Sequence, residues 1–506
     1  MFRIKITGAI LFFKTSLVFI LLFYNTTFVR AQQEKINQAQ HDTLLIHQLK
    51  KHVYFLASDG LKGRKAGSEE FNQACIYAEN ILSNQGLMPF FGNSFRQPVT
   101  FLEKRYGQTM AMKILFNDKV SDIPPGKIKY FNLINDRLFQ HHYPLLYFNL
   151  GNLDPKKSFA TQSTVNWKNK ILVVSAGKGK DHKAEPVNVT LSKISGITES
   201  DNKPAGIILL TNARFDTIWP RIHSMISSSG YEPGIKVPKR LRFFNTDLIL
   251  LKAEVAGLFC KEIEESGHNT ASVTPGNPFQ FAKTSIQYSI PSTQTKYHSW
   301  NLGGYIPGSD SVLKDEFIVV GAHLDHLGVV DGKIMNGADD NASGSAAILE
   351  LVHQLKNTRP KRSIALILWT AEECEAMGSQ QFFPQSPIAR EQIKWYINFD
   401  MIGRTATENS ESGALYVSSF PEWMTEEQKT FQNCSLNKPR FVFTTKGLSD
   451  HFVFELYQIP NFGFYSGHHK DVHQPTDDAD KLNYGQMADL VVAARKIILH
   501  LADKED

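Results

Sequence analysis

Four stretches of this chain run from strongly apolar residues straight into histidines and carboxylates. They are FIVVGAHLDH (317–326, followed by GADDNASG at 337–344), IALILWTAEE (364–373), WYINFD (395–400) and IPNFGFYSGHHKDVH (459–473). Each apolar run predicts a buried strand, and the polar cluster marks its end. In open α/β sheets, ligands bind outside the carboxyl ends of the strands. His323, Asp325, Asp340, Glu372, Glu373, Asp400 and His473 all fall at such ends.

The rest of the pattern places this region in a larger plan. Leu44 to Ala57 has helical apolar spacing and leads into the glycine-rich SDGLKGRKAGS. Ser68 then caps a helix with Phe71, Cys75, Ala78 and Leu82 on one face, closed by Gly86. From 106 to 282 strand-like runs such as YPLLYFNLG (143–151), KILVVSAG (170–177), AGIILLT (205–211) and DLILL (247–251) alternate with long polar connections. That texture predicts a separate β-rich inserted domain. From 283 onward strands alternate with helices, including 344–356 and a closing helix with Met487, Leu490, Val491, Ala494, Ile498 and Leu501 on one face. The expected fold class is therefore α/β, a mixed, mainly parallel sheet between helices.

Bulk properties narrow the function. The 506 residues exceed one ordinary core, so two or three domains are expected. The net charge of +5 is small for this length and the basic residues form no long run, which argues against a nucleic-acid partner. Cys75, Cys260, Cys374 and Cys434 lie far apart without a CxxC pair, so neither a thiolate metal site nor a disulfide framework is expected. At the N-terminus Arg3 and Lys5 precede the apolar run Leu17 to Tyr24, and Ala31 with Val29 suits signal peptidase. Residues 1–31 are expected to be removed on export to the periplasm or exterior, leaving no stable membrane span, the alternative being an uncleaved N-terminal anchor.

The clusters carry the chemistry jointly. Taken singly, a histidine at a strand end, an acid pair capping a helix or a polar loop rich in histidine needs no function. Adjacent carboxylates leaving a buried strand, as at Glu372-Glu373, repel one another and are costly unless paired or metal-bound. In that pair one would ligate and the other act as general base. Asp325, two residues after His323, can share a strand face with it and orient the imidazole. Two histidines with three carboxylates suit Zn²⁺, or Co²⁺ and Mn²⁺ in its place, better than Ca²⁺ or Mg²⁺. Five ligands are too many for one open tetrahedral site, and two ions sharing a carboxylate accommodate them.

GAHLDHLG, GADDNASGSAAILEL, WTAEECEAMGSQQF, NFDMIGR, SDHFVF and VHQPTDDADKL together resemble the M28 family of di-zinc metallopeptidases, typified by secreted bacterial aminopeptidases. The resemblance covers 283–506, with 32–105 similar to that family's N-terminal portion. The insert, through WKNKILVV and AGIILLT, resembles a protease-associated (PA) domain. The resemblance implies a zinc exopeptidase fold and two Zn²⁺ ions. His323 and Asp400 would hold one, Glu373 and His473 the other, and Asp340 would bridge them. Glu372 would be the general base and Asp325 the partner of His323. His468 and His469 stand beside His473 in the same loop.

The function implied is an exported zinc aminopeptidase that hydrolyses N-terminal residues from peptides by a metal-activated water. A glutaminyl cyclase-like enzyme would share the fold with one zinc, and a glutamate carboxypeptidase-like enzyme would share it with a different substrate. A binding protein on a decayed peptidase fold would lack ligands or base, and here none is missing.

Overall fold

Alternate residues of the apolar strands serve two different cores, which is why the runs show no polar interruption. The computed structural model describes residues 43–505 apart from 107–110, 132–142, 155–156, 177–184, 199, 220–228, 238–245, 290–291, 405–413, 419–439 and 445–448. The expected signal peptide and Cys434 lie outside the described residues. The chain divides into two compact units, residues 99–298 and the flanking segments on either side. The sequence reading set the insert at 106–282. The structural divisions instead fall inside two long strands, Arg96–Tyr106 and Ser292–Ile306, where no change of composition marks them.

The main elements of the first unit are α1 (43–56), α2 (Glu69–Asn84), β1 (Met88–Pro89), the later part of β2 (Ser292–Ile306), β3 (Phe317–His323), α3 (Gly344–Leu355), β4 (Ser363–Trp369), α4 (Met377–Phe382), β5 (Ile393–Phe399), α5 (His451–Leu456), β6 (Asn461–Phe464) and α6 (Tyr484–Asp503). The strands lie in the order β6-β5-β3-β4-β2, with β1 on β2. Strands β3 to β6 are mutually parallel, in register from Phe317↔Ser363 to His323↔Trp369 and from Tyr396↔Asn461 to Phe399↔Phe464. β2 and β1 run antiparallel at the edge. This is a mixed, mainly parallel sheet.

Because successive side chains point to opposite faces, Ile318, Val320 and Ala322 join the core made with α1, α2, α3 and α6. Phe317 and Val319 join a second, aromatic core with Trp369, Tyr396, Phe382 and Phe454. There Tyr396 stacks on Phe454 at 3.7 Å, and the Trp369 indole N–H donates to Tyr396 Oη at 2.8 Å. Gly321 is glycine for space: a Cβ would stand 2.4 Å from Trp369 Nε1. Ser68 caps α2 by accepting the Phe71 N–H at 3.0 Å. Among the described residues no helix is long and apolar enough to cross a membrane.

The second unit holds a six-stranded sheet and a three-stranded one. In the larger sheet Leu145–Asn149, Ile171–Ser175, Gly206–Leu210 and Asp247–Leu251 are parallel neighbours, with antiparallel edges at Phe279–Gln280 and Ile128–Phe131. Its longer helices are Val187–Thr198 and Ala256–Glu265.

Candidate metal centre

Every sequence-predicted site residue arrives at the carboxyl ends of β3 to β6. His323 is the last residue of β3, Asp400 follows β5 directly, and Glu372 and Glu373 stand in the turn after β4. His473 comes from the loop after β6, and Asp340 from the buried turn 338–343 before α3.

The turn before α3 separates its two acids. Asp339 is consumed internally: Oδ1 accepts the Gly403 N–H at 2.7 Å and Oδ2 accepts His469 Nε2–H at 2.9 Å. Asp340 has no such commitment and faces the cluster. Asp477 accepts the backbone N–H groups of both acids at 3.0–3.1 Å. Asn341 ties the turn to the end of β5, donating to Phe399 O at 2.8 Å and accepting the Gly344 N–H at 2.9 Å. A Cβ at Gly344 would lie 2.4 Å from Asn341 Oδ1, so that close approach needs glycine.

Two triangles of donor atoms result, sharing Asp340. His323 Nε2 lies 3.5 Å from Asp340 Oδ1 and 3.4 Å from Asp400 Oδ1. His473 Nε2 lies 3.1 Å from Asp340 Oδ2 and 3.3 Å from Glu373 Oε2. Zinc bonds of about 2.0–2.2 Å at a tetrahedral angle put two ligand atoms of one ion about 3.4 Å apart. All four separations are near that value, with one Asp340 oxygen turned to each group. Asp400 Oδ1 is buried and makes no hydrogen bond within ordinary geometry, its ion-pair partner being His323 Nε2 at 3.4 Å. The residues fit two dications.

The supporting atoms differ in detail from the sequence reading. His323 Nδ1–H donates to the backbone carbonyl of Asp325 at 3.1 Å, leaving Nε2 for the cluster. The Asp325 carboxylate stands 3.9 Å from that ring and instead accepts the Glu372 N–H at 3.2 Å. His468 is exposed and His469 is bonded to Asp339, so His473 is the loop histidine near Asp340.

Charge follows the geometry. Burial pushes Glu372 well above the ordinary carboxylate range; Glu373 and Asp400 add to the push and His323 opposes it. For Glu373 burial also works upward, but His473 and His326 outweigh it and hold the group well below that range. Glu373 in turn pushes His473 up to about 12. Burial disfavours a charged His323, yet Asp400 and Glu372 hold it well above the ordinary imidazole value. Asp400 and Asp325 are both raised by burial, Asp325 to about 6.

Two contributors escape motif reading. Arg64, from the glycine-rich loop, is fully buried and donates to Leu324 O (2.8 Å), Leu56 O (3.1 Å), Asn336 O (2.5 Å), Gly337 O (2.7 Å) and Asp340 O (3.4 Å). Its five donors join the turn carrying His323 to the turn carrying Asp340. His326 completes HLDH and lies 2.7 Å from Glu373. It forms, with Asp340 and Glu373, one of two donor groups able to hold an ion among the described residues, the other being His323, Asp340 and Asp400. Only its position in the motif pointed to it.

Residues 301–498 match the model of peptidase family M28. By this match the region is similar to the M28 peptidases. Leucine aminopeptidase 2 of Trichophyton equinum is 28% identical over 213 residues, 40% of each chain. Leupeptin-inactivating enzyme 1 of Streptomyces exfoliatus is 34% identical over 190 residues, 36% of this chain and 39% of that protein. The matched stretch thus spans about 40% of the length of these curated relatives. In overall fold this chain is similar to an aminopeptidase from Aneurinibacillus sp. strain AM-1, with TM-score 0.54 at 15% identity, covering 91% of this chain and 95% of that one.

Proposed function

We propose that this protein is an exported di-zinc aminopeptidase that removes N-terminal residues from peptides. The observation that carries the reading is the pair of donor triangles sharing Asp340, spaced as ligands of two tetrahedral ions, with Glu372 beside them. His323, Asp340 and Asp400 would hold one ion and Asp340, Glu373 and His473 the other. Bound there, the ions supply Lewis acidity and make water a nucleophile at neutral pH.

The chain's own residues divide the remaining work. Glu372 Oε2 lies 4.0 Å from His323 Nε2 at the rim of the first triangle and takes no ligand position. Its raised proton affinity suits a general base, which takes a proton from water and returns it to the leaving amine. Asp325 holds the Glu372 backbone and so fixes where that carboxylate stands. Glu373, kept anionic, suits a permanent ligand. The names of the relatives favour an aminopeptidase over a cyclase or carboxypeptidase on the same fold.

The test is a panel of fluorogenic aminoacyl and N-blocked substrates, assayed with metal content measured on the same protein. Cleavage of free-amine substrates alone, with two zinc ions per chain, is expected. One ion per chain with cyclisation of N-terminal glutamine would replace this reading, as would cleavage confined to C-terminal glutamate.

A further inference from the structure

We propose that His326 sorts the two adjacent glutamates, seizing Oε1 of Glu373 and thereby committing that carboxylate, through Oε2, to the second metal position. The proposal rests on the two-ion reading above and assigns a positioning residue to it. His326 and His473 both face Glu373 and Asp340, so the second position has two imidazoles within reach. Their distances tell them apart. His473 keeps separations of 3.1 and 3.3 Å, as co-ligands of one ion do. His326 Nδ1 lies 2.7 Å from Glu373 Oε1, a hydrogen-bond length, and 3.8 Å from Asp340 Oδ2. A carboxylate only accepts, so in this contact Nδ1–H donates and the ring serves Glu373 rather than an ion.

The ring is held for this task. The His326 N–H donates to Arg64 O at 3.3 Å. A Cβ on Gly337 would stand 2.5 Å from the imidazole, so the ring packs closely against that backbone. Its other flank meets the His473 ring at a centroid distance of 5.8 Å. The imidazole is almost wholly buried, whereas the His473 side chain is 49% exposed. Asp325 and His326 therefore address the glutamate pair from consecutive positions. Asp325 takes the backbone of Glu372 and His326 takes the side chain of Glu373.

Partners that hydrogen-bond a ligating carboxylate commonly account for about 10–100-fold in metal affinity. Zinc titration of the full chain against a chromophoric chelator reads both affinities without assaying activity. His326→Ala is expected to weaken one of two sites by about 10–100-fold and leave the other unchanged. His326→Asn, whose amide N–H stands near the Nδ1 position, is expected to restore most of the loss. Unchanged affinities in the alanine variant, loss of both sites together, or an asparagine variant no better than alanine would each overturn the role given to His326. A wild-type chain binding one ion would instead overturn the two-ion reading, and this inference with it.

Discussion

In the unit of residues 99–298, four parallel strands buried along nearly their whole length end at Asn149, Ser175, Leu210 and Leu251. In the peptidase unit, strands β3 to β6, buried as deeply, end at or beside His323, Glu372, Asp400 and the loop carrying His473. In the first case the polar groups near the strand ends satisfy one another. Tyr147 Oη meets Ser175 Oγ at 2.8 Å, Thr211 Oγ1 donates to Leu251 O at 3.0 Å, and Lys193 bonds Glu185 at 2.6 Å and Leu150 O at 2.9 Å. In the second case carboxylates outnumber cations, and Asp400 Oδ1 is buried with His323 Nε2 as its ion-pair partner at 3.4 Å. Both groups of residues able to hold an ion among the described residues belong to the peptidase unit. The same strand scaffold thus carries paired polar groups in one unit and the groups able to hold an ion in the other.

The most damaging change should be Asp340→Ala, because its two oxygens serve both triangles. Elemental analysis is expected to find both ions lost and peptidase activity at background, with secondary structure retained by circular dichroism. Retention of one full equivalent of zinc would show that Asp340 does not bridge. Next is Glu372→Gln, which keeps shape and leaves every proposed ligand in place. Turnover should fall by about 10²–10⁴-fold, the usual worth of a positioned proton acceptor, with two ions still bound. Metal loss at this position and full occupancy in Glu373→Gln would show the roles reversed.

The proton balance sharpens the contrast between the units. Without ions, Glu373 pushes His473 up to about 12, and Asp400 helps hold His323 protonated. Both Nε2 lone pairs must be freed for ligation, so loading two ions should release about two protons. Affinity then rises with pH, because fewer protons remain to be displaced. Calorimetric titration in buffers of different ionisation enthalpy checks the count, and no proton release would contradict it.

Arg64→Met removes a buried cation and leaves five carbonyls without their donor, so a loss of about 3–5 kcal/mol is expected in urea unfolding. Smallest at the metal centre should be Lys193→Met. It breaks a buried pair in the other unit and should lower stability there, while zinc content stays at two. A fall in zinc would mean that residues 99–298 help build the site.

Much of this was legible in the chain itself. Strands β3 to β6 could be read because burial on both faces demands unbroken apolar runs, and the ligand residues because charge is rare where such runs end. The closing helix could be read because its buried residues repeat with helical period: Met487, Val491, Ala494, Ile498 and Leu501 are all buried. Asp339 and Asp340, adjacent in one motif, could be told apart only through the resemblance, since nothing local distinguishes them. In the structure His469 and Gly403, more than sixty residues away, claim the first acid and leave the second to face His323 and His473.

Sequence alone therefore determined which residue types stand at the strand ends and what class of ion they suit, because hydropathy and ligand chemistry are local properties. Tertiary structure decided which atom of each residue faces which partner. It turned the Asp325 carbonyl rather than its carboxylate to His323, gave His326 to Glu373, and brought Arg64 from a distant loop to join two ligand turns. Those choices depend on contacts between segments up to about 270 residues apart, such as Arg64 and Gly337, and no pattern within a single segment records them.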